Sequence, residues 1–230
     1  MPLQLYIGNK NYSSWSMRPW VLMRQAGIEF TEVMVRFDSF EPGSKFKTTL
    51  QGVSPTGKVP VLVDGDVVVW DTLAIAEYLA EQHPSLQLWP ADAAARARAR
   101  SVCAEMHSGF TALRQNCPMN IEAHLPEVGR AAMQKPEVQT DVQRLVALWD
   151  ELLQQHGGPM LLGAFGIADA FFAPVAMRVH TYELPVSSTA AAYLKRLREL
   201  PGVQAWIDQA LLEADFRPFE EPYRSERDKM

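Results

Sequence analysis

One short segment restricts the fold of this chain more than any other. Residues 60–70, PVLVDGDVVVW, are two runs rich in β-branched residues joined by Asp64-Gly65. An Asp-Gly pair suits the two-residue type I′ turn of a β-hairpin, because both central residues of that turn have a positive φ. The segment therefore predicts two antiparallel strands, which any fold for the first part of the chain must contain.

Strand and helix patterns alternate on both sides of this hairpin within the first 83 residues. The segment LQLYI alternates in polarity, which predicts a strand with Leu3, Leu5 and Ile7 on one face. The other predicted elements are a helix over about 16–26 that has Pro19 in its first turn and Gly27 after its end, a strand over 31–37, a short helical stretch near 42–50, and a helix from Asp71 or Thr72 to about His83. This order predicts a mixed four-stranded sheet with helices on its faces.

Strand patterns are lost after this region, and the rest of the chain predicts helices alone. The predicted helices are one long Ala/Arg-rich helix over 93–115, an amphipathic helix over 137–155, a buried central helix in residues 166–184 that Pro174 kinks or divides, and shorter helices near 188–199 and 203–214. The polar tail, residues 217–230, is expected to fray. The length of 230 residues and the change of pattern indicate two domains, residues 1–83 and 90–230.

Composition excludes several classes of protein. The net charge of −5 gives no general attraction to nucleic acid. No apolar run reaches the roughly 18 residues that cross a bilayer, and the N-terminus does not resemble a secretion signal, so we expect a cytoplasmic protein. Cys103 and Cys117 are expected to be free and buried. The five histidines show no metal-ligand spacing, so no metal site is predicted.

Three segments of the first part carry polar groups suited to ligand binding. They are the serine-rich NKNYSSWSMRPW (residues 9–20), Val59-Pro60 before the hairpin, and Asp71-Thr72 at the start of the next helix. Each has a purely structural interpretation, since serine and aspartate cap helices and proline is tolerated at the first residue of a strand. Their occurrence together is what indicates a site.

These segments together resemble the glutathione transferase superfamily over most of the chain. The resemblance implies an α/β thioredoxin-like N-terminal domain followed by an all-α domain that carries the GIADAFFAP segment. SSWSMR (residues 13–18) is similar to the SSCS-x-R signature of the zeta class, with Trp15 in place of its cysteine. Gly166 stands where the family usually has serine or threonine. By this resemblance Ser13, with Ser14 beside it, supplies the catalytic hydroxyl.

The implied chemistry is the ionisation of the glutathione thiol. A free thiol has a pKa near 8.5, and lowering it by two units requires about 2.7 kcal/mol of stabilisation of the anion. A serine hydroxyl that donates to the sulfur supplies about 1.5–3 kcal/mol, and a helix N-terminus about 0.3–1 kcal/mol. The implied glutathione-binding residues are Trp15 at the rim, Lys58 for the glycyl carboxylate, the Val59 backbone beside a cis Pro60, Asp71 for the α-amino group, and Thr72 for the γ-glutamyl carboxylate.

The second substrate is expected between the two domains. Tyr12, Met106, His107 and Phe110 are candidates to line its pocket, although each also suits a core position. Tyr12 is in addition a competitor of Ser13 for the thiol. The implied function is transfer of glutathione to a small hydrophobic electrophile. The alternatives are a glutathione-dependent isomerase of the maleylacetoacetate type, a dehalogenase, and a non-catalytic glutathione-binding protein. A homodimer is expected from the resemblance alone.

Overall fold

The first part of the chain forms a mixed sheet with helices on both faces. The computed structural model describes residues 2–227. The elements are β1 (Leu3–Ile7), α1 (Ser14–Ala26), β2 (Phe30–Met34), α2 (Lys45–Gln51), β3 (Val61–Asp64), β4 (Val67–Trp70) and α3 (Thr72–Gln82). The strand order is β2-β1-β3-β4, with β1 and β2 parallel and the other pairs antiparallel. The predicted mixed four-stranded sheet is confirmed.

Local details of this sheet follow from side-chain chemistry. Leu5 and Ile7 are fully buried on one face of β1, as their alternation predicts. The hairpin turn consists of Gly65 and Asp66 rather than Asp64-Gly65, since Asp64 pairs with Val67. Of the two turn residues only Gly65 has a positive φ, which is the pattern of a type II′ turn rather than type I′. The hairpin prediction is right and its turn type is wrong.

The second part is helical and contains seven α-helices within the described residues. They are α4 (Ala93–Ser108), α5 (Thr111–Asn116), α6 (Pro126–Ala132), α7 (Pro136–His156), α8 (Ile167–Tyr182), α9 (Ser188–Glu199) and α10 (Pro201–Glu213). The prediction of one helix over 93–115 is wrong, because the chain is extended at Gly109 and left-handed at Phe110, with φ of 55°. This break turns the Phe110 side chain into the core, where it is 6% exposed. Helix α6 was not predicted.

Helix α8 lies at the centre of the helical part and continues through Pro174 to Tyr182. Its first turn is held by the buried Asp169, whose carboxylate accepts from the N–H of Gly166 at 3.0 Å and of Leu161 at 3.1 Å. Helix α1 of the first part packs directly on α8 and α10. One hydrophobic core therefore runs through both parts of the molecule and fixes the start of α1 against the helical layer.

The C-terminal tail is docked and does not fray as far as Arg227, so that prediction is wrong for the described residues. A short 3-10 turn, Pro218–Glu220, follows α10. Glu221 is buried and accepts from the Tyr12 hydroxyl and from Asn120 Nδ2, both at 2.8 Å. These partners come from both parts of the chain, so the tail joins them. Residues 228–230 of the predicted tail lie outside the described residues.

Two further expectations concern the chain as a whole. Cys103 and Cys117 are free and buried. Of the helices in residues 2–227, none has the length and apolar character that crossing a bilayer requires.

Candidate functional site

Two adjoining cavities lie where the N-terminus of α1 meets the helical part. The first, here called the serine cavity, has a volume of about 430 Å³ and is lined by Ser13 and Ser14. The second, here called the α3 cavity, has a volume of about 360 Å³ and is lined by Asp71 and Thr72. Trp15, Lys58 and Val59 line both cavities, and Pro60 lines the second. The structure thus brings together all eight residues that the sequence assigned to catalysis and glutathione binding.

Ser13 lies at the point where the chain enters α1. Its side chain is buried, and its hydroxyl forms no capping bond with the helix backbone. The hydroxyl instead donates to Oγ of Ser16 at 2.7 Å, and Ser16 Oγ accepts from the N–H of Gly8 at 3.2 Å. Because Ser16 has a hydroxyl proton of its own, reversal of the Ser13–Ser16 bond frees the Ser13 proton for a group in the serine cavity.

Trp15 forms the wall between the two cavities and lies among three cationic or titratable groups. The guanidinium carbons of Arg18 and Arg114 are 4.2 and 5.2 Å from its ring centroid, and the His107 ring packs against it at 5.1 Å. Arg18 is buried, and its Nε and Nη1 have no hydrogen-bond partner among the described residues. Burial lowers the pKa of Arg18 to about 9, so the side chain stays charged at neutral pH. A buried cation therefore lies behind Trp15.

Asp71 and Thr72 form the start of α3 and one end of the α3 cavity. Asp71 Oδ1 caps the helix by accepting from the N–H of Leu73 at 2.8 Å. Its other oxygen, Oδ2, lies 3.2 Å from Nε2 of His107, a residue of α4. The Thr72 hydroxyl and the His107 Nδ1 are buried without a hydrogen-bond partner among the described residues. This end of the cavity therefore offers polar groups that a ligand can satisfy.

The structure corrects most of the residues predicted for the second-substrate pocket. Met106 is fully buried, and Met106 and Phe110 belong to the hydrophobic core and line neither cavity. His107 lines the α3 cavity rather than the serine cavity. Tyr12 does line the serine cavity, but its hydroxyl donates to Glu221 and accepts from the N–H of Arg217 at 3.1 Å. That hydroxyl is thus engaged with the tail, which disfavours it as the group that contacts a thiol.

Comparison with known protein families decides the identity of this fold. The family description "Glutathione S-transferase, N-terminal domain" matches residues 12–82, and "Glutathione S-transferase, C-terminal domain" matches residues 91–209. The chain belongs to the glutathione S-transferase family. The division at residues 83–90 between two domains stays a prediction, and it falls close to the gap between the two matches.

Individual relatives agree with this assignment. Glutathione S-transferase 1 of Dianthus caryophyllus is 30% identical over 75% of this chain and 75% of its own length. A probable maleylacetoacetate isomerase of Caenorhabditis elegans is 29% identical over 80% of this chain and 81% of its own. Among solved structures, a glutathione transferase homologue from Burkholderia with bound glutathione superposes with a TM-score of 0.69 at 27% identity, over 91% of this chain and 98% of its own.

This glutathione S-transferase also has cavity residues that sequence reasoning missed. They are the aromatic side chains Phe37, Phe40 and Phe46, the cations Lys47, Arg114 and Arg178, and the carboxylate of Glu220, all in the serine cavity. Arg178 is the one that the sequence could have revealed, because a lone arginine in the apolar helix α8 needs a reason to be buried. It donates to the carbonyl oxygen of Cys117 at 2.9 Å, and burial lowers its pKa to about 10.

Proposed function

We propose that the protein is a glutathione transferase in which the Ser13 hydroxyl stabilises the thiolate of bound glutathione. One observation carries this proposal: a buried serine hydroxyl at the start of α1 is left out of helix capping and lines a cavity next to the α3 cavity. Serine acts here as a donor to the anion and not as a nucleophile. The thiolate then attacks an electrophilic carbon in the serine cavity.

The polar groups of the α3 cavity support a tripeptide in one orientation. Thr72 Oγ1, which has no partner among the described residues, and the N-terminus of α3 suit the γ-glutamyl carboxylate. Asp71 suits the α-amino group, and Lys58, on the wall between the cavities, suits the glycyl carboxylate. The Val59 backbone then lies beside the cysteinyl residue, which directs the sulfur toward Ser13.

The electrostatics around Ser13 favour an anion. A donated hydroxyl hydrogen bond to a charged acceptor contributes about 1.5–3 kcal/mol, and the start of α1 contributes about 0.3–1 kcal/mol. The charged guanidinium of Arg18 lies behind Trp15, and no carboxylate within residues 2–227 is in hydrogen-bond contact with it. Together these terms match the 2.7 kcal/mol or so that lowers a thiol pKa by two units.

A second candidate function is supported by the cations of the serine cavity. Lys47, Lys58, Arg114 and Arg178 line it beside three phenylalanines, so an electrophile that carries a carboxylate fits at least as well as a neutral hydrophobic one. Maleylacetoacetate, named in the relative from C. elegans, is a dicarboxylate. Reversible addition of the thiolate to such a substrate permits rotation about the former double bond, which is glutathione-dependent isomerisation. Faster turnover of carboxylated than of neutral maleyl compounds would favour this function.

The deciding experiment is a titration of bound glutathione, followed by the absorbance of its thiolate. We expect the wild type to lower the thiol pKa below its free value, and Ser13→Ala to raise it again by about one to two units, the equivalent of one charged hydrogen bond. Ser14→Ala is the matched comparison, because Ser14 lines the same cavity. An unchanged thiolate in Ser13→Ala would contradict the mechanism. Binding without turnover of any electrophile would favour a non-catalytic binding protein.

We place the protein in the cytoplasm and expect a homodimer. Two free buried cysteines suit a reducing compartment, where glutathione is abundant. The exposed apolar side chains of Val67 and Trp70, on the edge strand β4, suit coverage by a second copy of the chain.

A further inference from the structure

The C-terminal segment Asp215–Arg227 reaches the serine cavity through Glu220, which is part of the cavity lining. Phe219 packs edge-on against Phe40 with ring centroids 5.4 Å apart. Asp215 accepts from Asn9 Nδ2 at 2.8 Å, which ties the beginning of the segment to the first part of the chain. The match to the family descriptions ends at residue 209, so this segment lies outside the matched regions.

Glu221 fixes the middle of the segment. Its carboxylate is 1% exposed and accepts from Tyr12, from Asn120 and from the Arg224 guanidinium, the last at 2.7 Å. With every oxygen of Glu221 engaged, the backbone at position 220 is held at the edge of the cavity. The neighbouring side chain is therefore presented to the cavity by a rigid support.

Glu220 differs from Glu221 in having no fixed partner. It is half-buried and lines the serine cavity together with Ser13. No hydrogen bond or ion pair of its carboxyl group is found within residues 2–227, and among the described residues it is the one acidic side chain in the lining. A carboxyl group that serves only the fold and is withdrawn from solvent is ordinarily paired with a hydrogen-bond donor. The Glu220 carboxyl group is not paired, so it is free to act on a molecule bound in the cavity.

We propose that Glu220 is the general acid of the serine cavity, which protonates an electrophile after the glutathione thiolate has added to it. This inference rests on the proposed transferase function and adds a catalytic residue to it. The substrate class is α,β-unsaturated carbonyl compounds, because their adducts, unlike those of aryl halides, need a proton to be completed.

The step balances as follows for an enone. A sulfur electron pair forms the C–S bond at the β-carbon, and the π pair of the double bond moves to give an enolate. The O–H bond of the Glu220 carboxyl group breaks, and its proton forms a C–H bond at the α-carbon. The products are a neutral thioether and a Glu220 carboxylate. The thiol of glutathione released one proton to solvent when it ionised. Glu220 takes up one proton from solvent, which restores its acid form and balances the reaction.

The surroundings of Glu220 keep a large share of its carboxyl groups protonated at neutral pH. Burial is the main cause and the adjacent Glu221 the second, and they raise the pKa of Glu220 to about 7. The charged or titratable groups that line the cavity with it are Tyr12, Lys47, Lys58, Arg114 and Arg178. Because the acid form is present below the pKa, turnover of an enone should fall as the pH rises above about 7, even though the thiolate fraction does not fall.

The test compares two electrophiles. Benzylideneacetone, an enone, needs the proton, whereas chlorodinitrobenzene expels chloride and does not. We expect Glu220→Gln to lower kcat for the enone by about 100-fold, the usual contribution of a general acid, and to leave kcat for chlorodinitrobenzene within about two-fold. Glu220→Asp should recover part of the enone activity, and that activity should again decrease as the pH rises above 7. Glu226→Gln, an exposed position of the same segment, is the control and should change neither rate.

The possible results separate the two proposals. Suppose that the wild type turns over both electrophiles. If Glu220→Gln then lowers kcat equally for both, or for neither, the assignment of Glu220 is wrong and the transferase function stands. A wild type that turns over neither electrophile contradicts the transferase function and, with it, this inference.

Discussion

Ser16 shows how a single buried hydroxyl can serve both the fold and the site. It is fully buried, accepts from the N–H of Gly8 at the end of β1, and is bonded to Ser13. The strand and the start of α1 are therefore linked through one oxygen. The Ser16 hydroxyl group therefore fixes where the Ser13 hydroxyl lies. When the Ser16 O–H donates to Ser13 instead, the Ser13 proton is free to face the cavity.

We expect Ser16→Ala to lower the free energy of unfolding by about 1–3 kcal/mol, because it leaves the buried Gly8 N–H without an acceptor. Denaturant unfolding measures this loss. Ser14→Ala is the matched control: Ser14 is half-buried, its hydroxyl has no partner in residues 2–227, and its loss should cost within about 0.5 kcal/mol. Equal losses in the two variants would show that the Gly8–Ser16 bond does not contribute.

Single residues of the site were predictable to different degrees. Ser13, Val59-Pro60 and Asp71-Thr72 each lie in a short local motif, and the resemblance of the three motifs to one family grouped them. Arg178 and Glu220 reach the same cavity from distant parts of the chain, and their positions depend on how α8 and the tail pack. A lone arginine in the apolar helix α8 marks Arg178 as unusual, but no local pattern shows which cavity it or Glu220 reaches. Met106 was a candidate for the pocket because it lies on a helix next to the first domain, but the sequence did not show which side of that helix faces the core.

At the scale of elements, two glycines in similar local structure have opposite surroundings. Gly129 lies within α6, and a Cβ there would be 1.8 Å from the carbonyl oxygen of Tyr182. Gly52 follows α2 with a φ of −81°, and a Cβ there would meet nothing within 4 Å. The close approach of α6 to the end of α8 therefore requires glycine at position 129, whereas position 52 does not require it.

We expect Gly52→Ala to be neutral or to stabilise the protein by up to about 1 kcal/mol, since it restricts the unfolded chain at no steric cost. Gly129→Ala should instead lower Tm clearly, because overpacking costs about 1–3 kcal/mol and outweighs the gain of about 1 kcal/mol in helix propensity. Calorimetry of the two variants checks the pair. A stabilising Gly129→Ala would mean that α6 moves away from α8 at little cost.

Elements were predicted best where their own periodicity is strong. Helix α7 has a continuous apolar stripe, and its predicted range of 137–155 differs little from Pro136–His156. The break between α4 and α5 was missed because Gly109 is tolerated inside a helical pattern, and what ends α4 is the packing of Phe110 into the core. The tail was predicted to fray from its polarity, yet Glu221 and Arg227 are paired with groups on both parts of the chain. Long-range pairing cannot be detected from composition.

At the scale of the whole molecule, the core joins the sheet and the helices into one unit. Trp20 of α1 packs against Trp206 of α10 with ring centroids 5.3 Å apart, and α1 also lies along α8. The order of elements was enough to predict a mixed sheet followed by helices, because each part has its own sequence pattern. The way the two parts meet, which creates both cavities, depended on the family resemblance and on the structure.

The outer face of β4 and α3 is the surface on which we expect the homodimer to form. Strand β4 is an edge of the sheet, with Val67 46% and Trp70 43% exposed, and Val69, Leu73 and Ala74 line a shallow apolar depression beside them.

Light scattering after size-exclusion chromatography should give about twice the chain mass of 25.8 kDa. Ala74→Arg places a charge in the middle of this face and should shift the mass toward the monomer, because an unpaired charge is costly to bury. Ala192→Arg, at another exposed alanine, on α9, should leave the mass unchanged. A wild-type monomer would contradict the dimer itself, and a dimeric Ala74→Arg would place the interface on another face.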